Sequence, residues 1–338
     1  MSVWKKLLET AVYAPSPHNV QPWRLRILSD QTADLLIEKR RTLPKEDPTG
    51  SFIILSMGLF IEALKIVAGR HSLRLGILLG RPLSRFTPDE IAQTQDELLP
   101  FARLRVTPAP EELADSNFDI SLFHTRRTSR ISFSAQPVPN EPVEALSKLA
   151  REWGQVYEQV VAPEIIEQIL KRNIEAVFED LNAPAYHDEI VEWFRFSDRA
   201  ARQTRDGLDY RCMNSSRLSF WLAARVPQLL QLPVTSALLK KIYRAQLGHV
   251  PTIGMLAGPF WDPESAFETG RFLMHFWLEL AKRDLYIHPY GNMVTNKTAA
   301  EWTLEVLRVP QIWLIFRIGF SKVPPKSYRR TVEEVLVD

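Results

Sequence analysis

The sequence predicts an α+β chain in two halves, and three patterns predict it. An alternating run at 23–27 and a second strand at 34–39 flank the polar turn Ser29-Asp30-Gln31-Thr32, which reads as a hairpin. Long apolar stretches at helical spacing fill 50–69 and 270–283. The composition turns to Thr-Pro-Ala-Pro-Glu-Glu-Leu-Ala-Asp-Ser-Asn over 107–117, which sets the halves at 1–110 and 111–338.

The elements follow in order. Residues 3–13 read as a helix with Val3, Leu7, Leu8 and Val12 on one side. A proline-interrupted loop over 14–22 feeds the hairpin. A charged loop, 40–48, precedes the helix 50–69, which is apolar nearly all round and so central. Its Ser56 and Gly58 let another backbone come close. A strand is predicted at 73–78, a helix from Pro88, and a strand at 101–106. Beyond the boundary, Asn140 reads as the cap of a helix with Pro142 in its first turn. A strand follows at 155–161. Residues 163–247 read as mostly helical, broken by Pro184, Pro227 and Pro233. Then come the core helix 270–283, a loop over 286–293 and a buried strand at 311–320.

Composition excludes several classes. The 338 residues are 45% hydrophobic and 24% charged, ample for a core. The net charge of +2 predicts no broad attraction to nucleic acid or membrane. Cys212 is the single cysteine, so there is neither an intrachain disulfide nor a cysteine metal cluster. The seven histidines show no metal-ligand spacing, and no Gly-x-Gly-x-x-Gly signals a nicotinamide-binding Rossmann site. The N-terminus reads as an amphipathic helix rather than a signal peptide. Glu62 and Lys65 interrupt the longest apolar stretch, which reads as a buried helix rather than a membrane span. The expectation is a soluble, cytoplasmic protein.

Two stretches carry candidate chemistry. The loop presents Pro15, Ser16, His18, Asn19 and Gln21, short-range hydrogen-bonders on a stiff backbone that loses its entropy on folding rather than on binding. His18 fits either a ligand contact or a bond that steadies the loop. Arg126, Arg127 and Arg130, with Thr128 and Ser129 between them, offer planar donor forks suited to phosphate, or else form a solvated charged turn.

Together these stretches resemble the FMN-dependent nitroreductase superfamily. Ser16-Pro17-His18-Asn19-Val20-Gln21-Pro22-Trp23 resembles its Ser-x-x-Asn-x-Gln-Pro-Trp loop. Arg126-Arg127-Thr128-Ser129-Arg130 resembles its Arg-Arg-Ser-x-Arg element, which holds the FMN phosphate and ribityl chain. Pro289-Tyr290-Gly291 falls where the family has a Pro-x-Glu-Gly turn against the flavin ring, with Tyr290 in place of the usual Glu. The basic tail, with Lys326, Arg329 and Arg330, resembles its C-terminal phosphate contacts.

The order of the motifs is unusual. The Gln-Pro-Trp loop lies in the first half and the arginine element in the second, each present once. This resembles the Acg-type branch, a fused pseudo-dimer with one retained flavin site. The resemblance implies a nitroreductase-like α+β fold, two fused halves each with a mainly antiparallel sheet flanked by helices. It also implies a helical insertion near 163–250 acting as a lid. The implied activity is ping-pong hydride transfer from NAD(P)H through FMN to a small-molecule acceptor such as a nitroaromatic or quinone. No side chain need be the nucleophile or general acid, since the flavin carries the redox chemistry. A closed lid would instead imply FMN storage, and an oxidase acting on a biosynthetic intermediate is a third class. The assembly implied is a monomer with internal pseudo-symmetry, or a homodimer.

Overall fold

The computed structural model describes residues 2–109, 118–226 and 232–338. The predicted boundary at 110/111 and Pro227 lie outside the described residues. The strands in chain order are β1 (Trp23–Ile27), β2 (Thr32–Glu38), β3 (Leu73–Leu79), β4 (Leu98–Pro108), β5 (Val156–Val160), β6 (Phe194–Arg195), β7 (Leu208–Asp209), β8 (Ile253–Ala257), β9 (Tyr286–Pro289), β10 (Ile312–Gly319) and β11 (Leu336–Val337). One sheet has the order β11-β1-β2-β4-β3, antiparallel except where β11 joins β1. A second, β5-β8-β10-β9, is antiparallel throughout. Strands β6 and β7 form a two-residue parallel pair. With helices between the strands, the fold is α+β, as the sequence predicts.

Contacts divide the chain into two compact units. The first holds Met1–Arg126, Phe260–Leu278 and Tyr328–Asp338, and the second Arg127–Pro259 and Glu279–Ser327. The segments 260–278 and 328–338 follow the sequence boundary yet count with the first unit. Within that unit the helix Ser51–Gly69 is the reason for one of them. A Cβ at Gly58 would lie 2.3 Å from the Phe267 carbonyl oxygen, and a Cβ at Gly270 would lie 2.2 Å from that of Leu55. The two backbones approach so closely that only glycine fits. The tail belongs there because β11 pairs with β1, Leu336 opposite Leu25.

Helix Ser51–Gly69 is long and apolar enough to cross a membrane, but 89% of its most apolar window is buried inside the protein. Its one acid facing the interior is neutralised locally. Glu62 is 1% exposed and accepts from Arg271 Nε and His275 Nε2, each at 2.8 Å. Burial alone would raise its carboxyl, but the His275 hydrogen bond and the Arg271 charge hold it below its ordinary range.

Some local expectations change. Residues 286–293, expected as a loop, begin with β9 and end in the helical turn Asn292–Thr295. Partner strand β10 supplies what the local pattern lacked, and Pro289 closes the strand where a missing N–H is tolerated. Asn140 does not cap its helix. It is already helical, Pro139 precedes it, and no side chain caps this N-terminus. The core helix begins earlier than predicted, at Pro263, where the Asp262 carboxylate accepts from Ser265 N at 2.9 Å.

Four arginines converge on Glu38 at the end of β2. Its carboxylate accepts from Arg24 Nε (2.6 Å), Arg330 Nη1 (3.0 Å), Arg41 Nε (3.1 Å) and Arg40 Nε. Burial opposes ionisation here, but the Arg24 bond and the charges of Arg41, Arg40 and Arg330 hold the carboxyl down at about 2. A carboxyl depressed on folding stabilises the fold above its unfolded value and loses that contribution as pH falls. Stability should therefore decline from about pH 4.5 toward pH 2, with roughly 3 kcal/mol traceable to this group. In Glu38→Gln that acid-dependent part should vanish and the melting temperature at neutral pH should fall, both read by circular dichroism across pH.

Candidate functional site

The proline loop of the first unit is held in an uncommon backbone conformation. His18, Asn19 and Gln21 have φ of 45°, 57° and 51°, in the left-handed region that favours glycine. Such geometry persists only where surrounding bonds over-determine it. Here Ser16 Oγ accepts from Gln21 N at 2.9 Å, and the Ser16 carbonyl accepts from Asn19 N at 3.0 Å. Gln21 is fully buried and donates through Nε2 to the Asn19 carbonyl at 3.3 Å. Pro15 is buried at the start of the loop. His18 Nε2 meets the Glu46 carboxylate, so of its two sequence-level roles the loop-steadying bond is present.

The tail closes over this loop. Asn19 Nδ2 donates to the Tyr328 carbonyl at 3.0 Å, and Gln21 Oε1 accepts from Arg330 N at 2.9 Å. Arg330 Nη2 donates to the carbonyls of Gln21 and Trp23, each at 2.6 Å. Arg330 is thus committed to Glu38 and to the loop backbone, a positioning role. Burial first, then the charges of Arg41 and Arg24, push its guanidinium down to about 9.

Arg126 differs in kind. It is 6% exposed, which removes the solvated-turn reading for this residue. Its guanidinium lies 4.6 Å from the centre of the Trp277 ring, and Nη2 donates to the Tyr13 carbonyl at 3.4 Å. Among the described residues it makes no ion pair with a carboxylate, and its Nε has no hydrogen-bond partner. Burial, followed by the like charge of Arg329, pushes it down to about 9. A buried cation beside a second cation, with no acid supplied, suits an anionic ligand. Trp277 was legible only as a core-helix residue, and its place under Arg126 needs the tertiary fold.

The second unit gathers the other candidates. Thr128 and Ser129 run beside β9: Ser129 N donates to the Ile287 carbonyl at 3.0 Å, and Ser129 Oγ lies 2.9 Å from Ser321 Oγ. Arg127 Nη1 donates to the Pro324 carbonyl at 2.6 Å, and Arg130 Nη1 to the Cys212 carbonyl at 3.3 Å. The pairing with β9 brings the arginine element beside Pro289, Tyr290 and Gly291. Tyr290 N donates to the Ile315 carbonyl at 2.7 Å. Its hydroxyl is buried with no partner among the described residues, and burial pushes it above its ordinary range. A Cβ built on Gly291 would meet nothing within 4 Å, so open space adjoins the backbone there. Lys326 is exposed.

Sequence reasoning missed Arg317, which sat unremarked in a buried strand. It is 0% exposed and donates to the carbonyls of Ile131 (3.1 Å), Ser129 (3.4 Å) and Leu247, fixing the arginine element from below. A charge within an otherwise apolar run was the available signal. Burial, then the charges of Arg317 and Arg130, hold His288 well below its ordinary value, so its imidazole is neutral. A cavity of about 540 Å³ in this unit is lined by His187, Phe194, Phe196 and Arg225 among others, and by none of the residues singled out from the sequence.

No protein-family model matches the chain. Over 191 residues it is 29% identical to two Mycobacterium tuberculosis proteins, of strains CDC 1551 / Oshkosh and H37Rv, each named "Putative NAD(P)H nitroreductase". The match covers 56% of this chain and 50% of each relative, so the chain spans about half the length of the curated relatives it matches. Among solved structures, the FMN-dependent nitroreductase NfnB of Mycobacterium smegmatis in complex with NADPH is 18% identical. It covers 61% of this chain and 93% of its own, with a TM-score of 0.33. An FMN-bound nitroreductase of Desulfitobacterium hafniense is 10% identical, covers 61% and 92%, and has a TM-score of 0.36.

Gln21→Ala should leave the Arg330 amide N–H buried without its acceptor, lowering stability by about 1–3 kcal/mol. Urea titration reads the loss, and an unchanged midpoint would show that the loop does not depend on this bond.

Proposed function

We propose that this chain belongs to the nitroreductase superfamily, in its fused pseudo-dimer (Acg-type) branch, and works as an FMN-dependent NAD(P)H oxidoreductase. The observation that carries the proposal is Arg126, a buried guanidinium with an unpartnered Nε and no carboxylate. An anionic cofactor group would supply the missing charge. The open space at Gly291 and the unpartnered Tyr290 hydroxyl also fit a planar ring with polar edges.

The residues carried into this proposal fall in two sets. In the first unit they are Pro15, Ser16, His18, Asn19, Gln21, Arg126, Arg329 and Arg330. In the second they are Arg127, Ser129, Arg130, Pro289, Tyr290, Gly291 and Lys326. Arg126, Arg127, Arg130, Arg329 and Lys326 would neutralise phosphate and Ser129 would donate to the polar chain, while Gln21 and Arg330 would hold the loop that presents Asn19 to the ring. FMN would supply the redox chemistry, taking hydride from NAD(P)H and passing electrons to a nitroaromatic, a quinone or a similar small acceptor. The protein's part is to bind, orient and exclude water. A neutral Tyr290 phenol, in place of the usual Glu, can donate a hydrogen bond where a carboxylate could only accept.

The purified protein should show a flavin visible spectrum that bleaches on anaerobic addition of NADPH or NADH. A spectrum that fails to bleach would replace a reductase with FMN storage. Protein that is colourless and takes up no added FMN would end the flavin proposal. Replacing Arg126, Arg127 and Arg130 together with Ala should weaken FMN retention about a thousandfold, at about tenfold per charge-assisted contact, with the far-ultraviolet circular dichroism unchanged.

A further inference from the structure

From Tyr210 to Trp261 the chain contains no Asp or Glu, while it carries Arg211, Arg217, Arg225, Lys240, Lys241 and Arg244. Two helices of the second unit lie in this stretch, Arg217–Arg225 and Pro233–Leu247. They are also where apolar surface is exposed. Of the fourteen exposed large apolar side chains among the described residues, six fall between 218 and 242. Val234, Leu238 and Ile242, at 84%, 56% and 43% exposure, follow one another at i, i+4 and i+8 and so make one stripe. On the preceding helix, Leu218 and Trp221 are an i, i+3 pair at 66% and 45%.

The basic residues beside these stripes are mostly uncommitted to acids. Arg244 pairs with Glu167, and Arg211 with Asp198 and Asp209. Arg217 donates to a carbonyl, Arg225 lies over the Phe196 ring and Lys240 over the Phe178 ring. Lys241 is exposed. On Pro233–Leu247 an apolar stripe bordered by Lys240, Lys241 and Arg244 is the pattern of a helix lying in a membrane interface. The whole-chain charge of +2 hides this local asymmetry.

We propose that the helix Pro233–Leu247 docks on an anionic lipid surface, inserting Val234, Leu238 and Ile242 while Lys240 and Lys241 meet the headgroups. Charge decides against the other simple occupant. A second copy of this chain meeting the same patch across a two-fold axis would oppose basic residues to basic residues, with no acid in either segment to relieve them.

The test is co-sedimentation of the whole protein with vesicles of phosphatidylcholine alone or mixed with phosphatidylglycerol. Retention on the mixed vesicles that weakens with salt supports docking. Lys240→Glu with Lys241→Glu, and separately Leu238→Ser with Ile242→Ser, should each reduce retention more than tenfold. These positions are half-exposed or exposed, so unchanged circular dichroism is expected and checks that the fold is intact. Failure to sediment with either vesicle, or equal retention on both, overturns the proposal. So does a concentration-dependent dimer in analytical ultracentrifugation that Leu238→Ser dissolves, since the occupant is then a second copy.

Discussion

One buried carboxylate, Glu38, sets the arrangement of the first unit. It draws Arg24 from the adjacent strand, Arg40 and Arg41 from the turn that follows, and Arg330 from the far end of the chain. A single negative charge faces four positive ones, and Arg41 and Arg330 also lean on backbone carbonyls. Arg41 donates to Val20 and Arg330 to Gln21 and Trp23. Those carbonyls belong to the proline loop and its exit. The ion cluster therefore fixes both the tail and the loop, and the left-handed backbone at His18, Asn19 and Gln21 survives because the tail holds it from outside.

Arginine takes two roles that residue type alone does not separate. Arg317 and Arg330 spend their terminal nitrogens on carbonyls or a carboxylate and act as braces. Arg126 is as deeply buried but lacks an acid, and the nearby charge of Arg329 makes its charged form still less favourable. A fold tolerates such a group where a ligand completes it. The difference between brace and binder lies in partners, and partners come from elements far away in sequence.

The apolar surface of the molecule follows a similar logic. Helix Ser51–Gly69 is apolar nearly all round because other elements cover it, and Gly58 and Gly270 let one of those come within backbone contact. Helix Pro233–Leu247 is apolar along one stripe that stays in solvent, within a stretch without a single acid. Hydropathy ranks the first as the membrane candidate, whereas exposure and charge point to the second.

Apolar patterning, helped at the hairpin of β1 and β2 by its polar turn, placed that hairpin, the central helix, the later core helix and the buried strand β10, because each carries its own burial pattern over several turns or residues. The proline loop and the arginine element were also legible, since Pro and Arg announce themselves by covalent chemistry. The sequence could not show that 286–293 opens with a strand, because that strand exists through pairing with β10 rather than through its own alternation. Nor could it show that Trp277 lies under Arg126, that Arg317 braces Ser129, or that the tail reaches Gln21, 309 residues away. Sequence determined which residues could bond and which faces could be buried. Tertiary structure decided which polar groups found partners and which stayed open, because burial and distance between remote segments set the free energy of a charge.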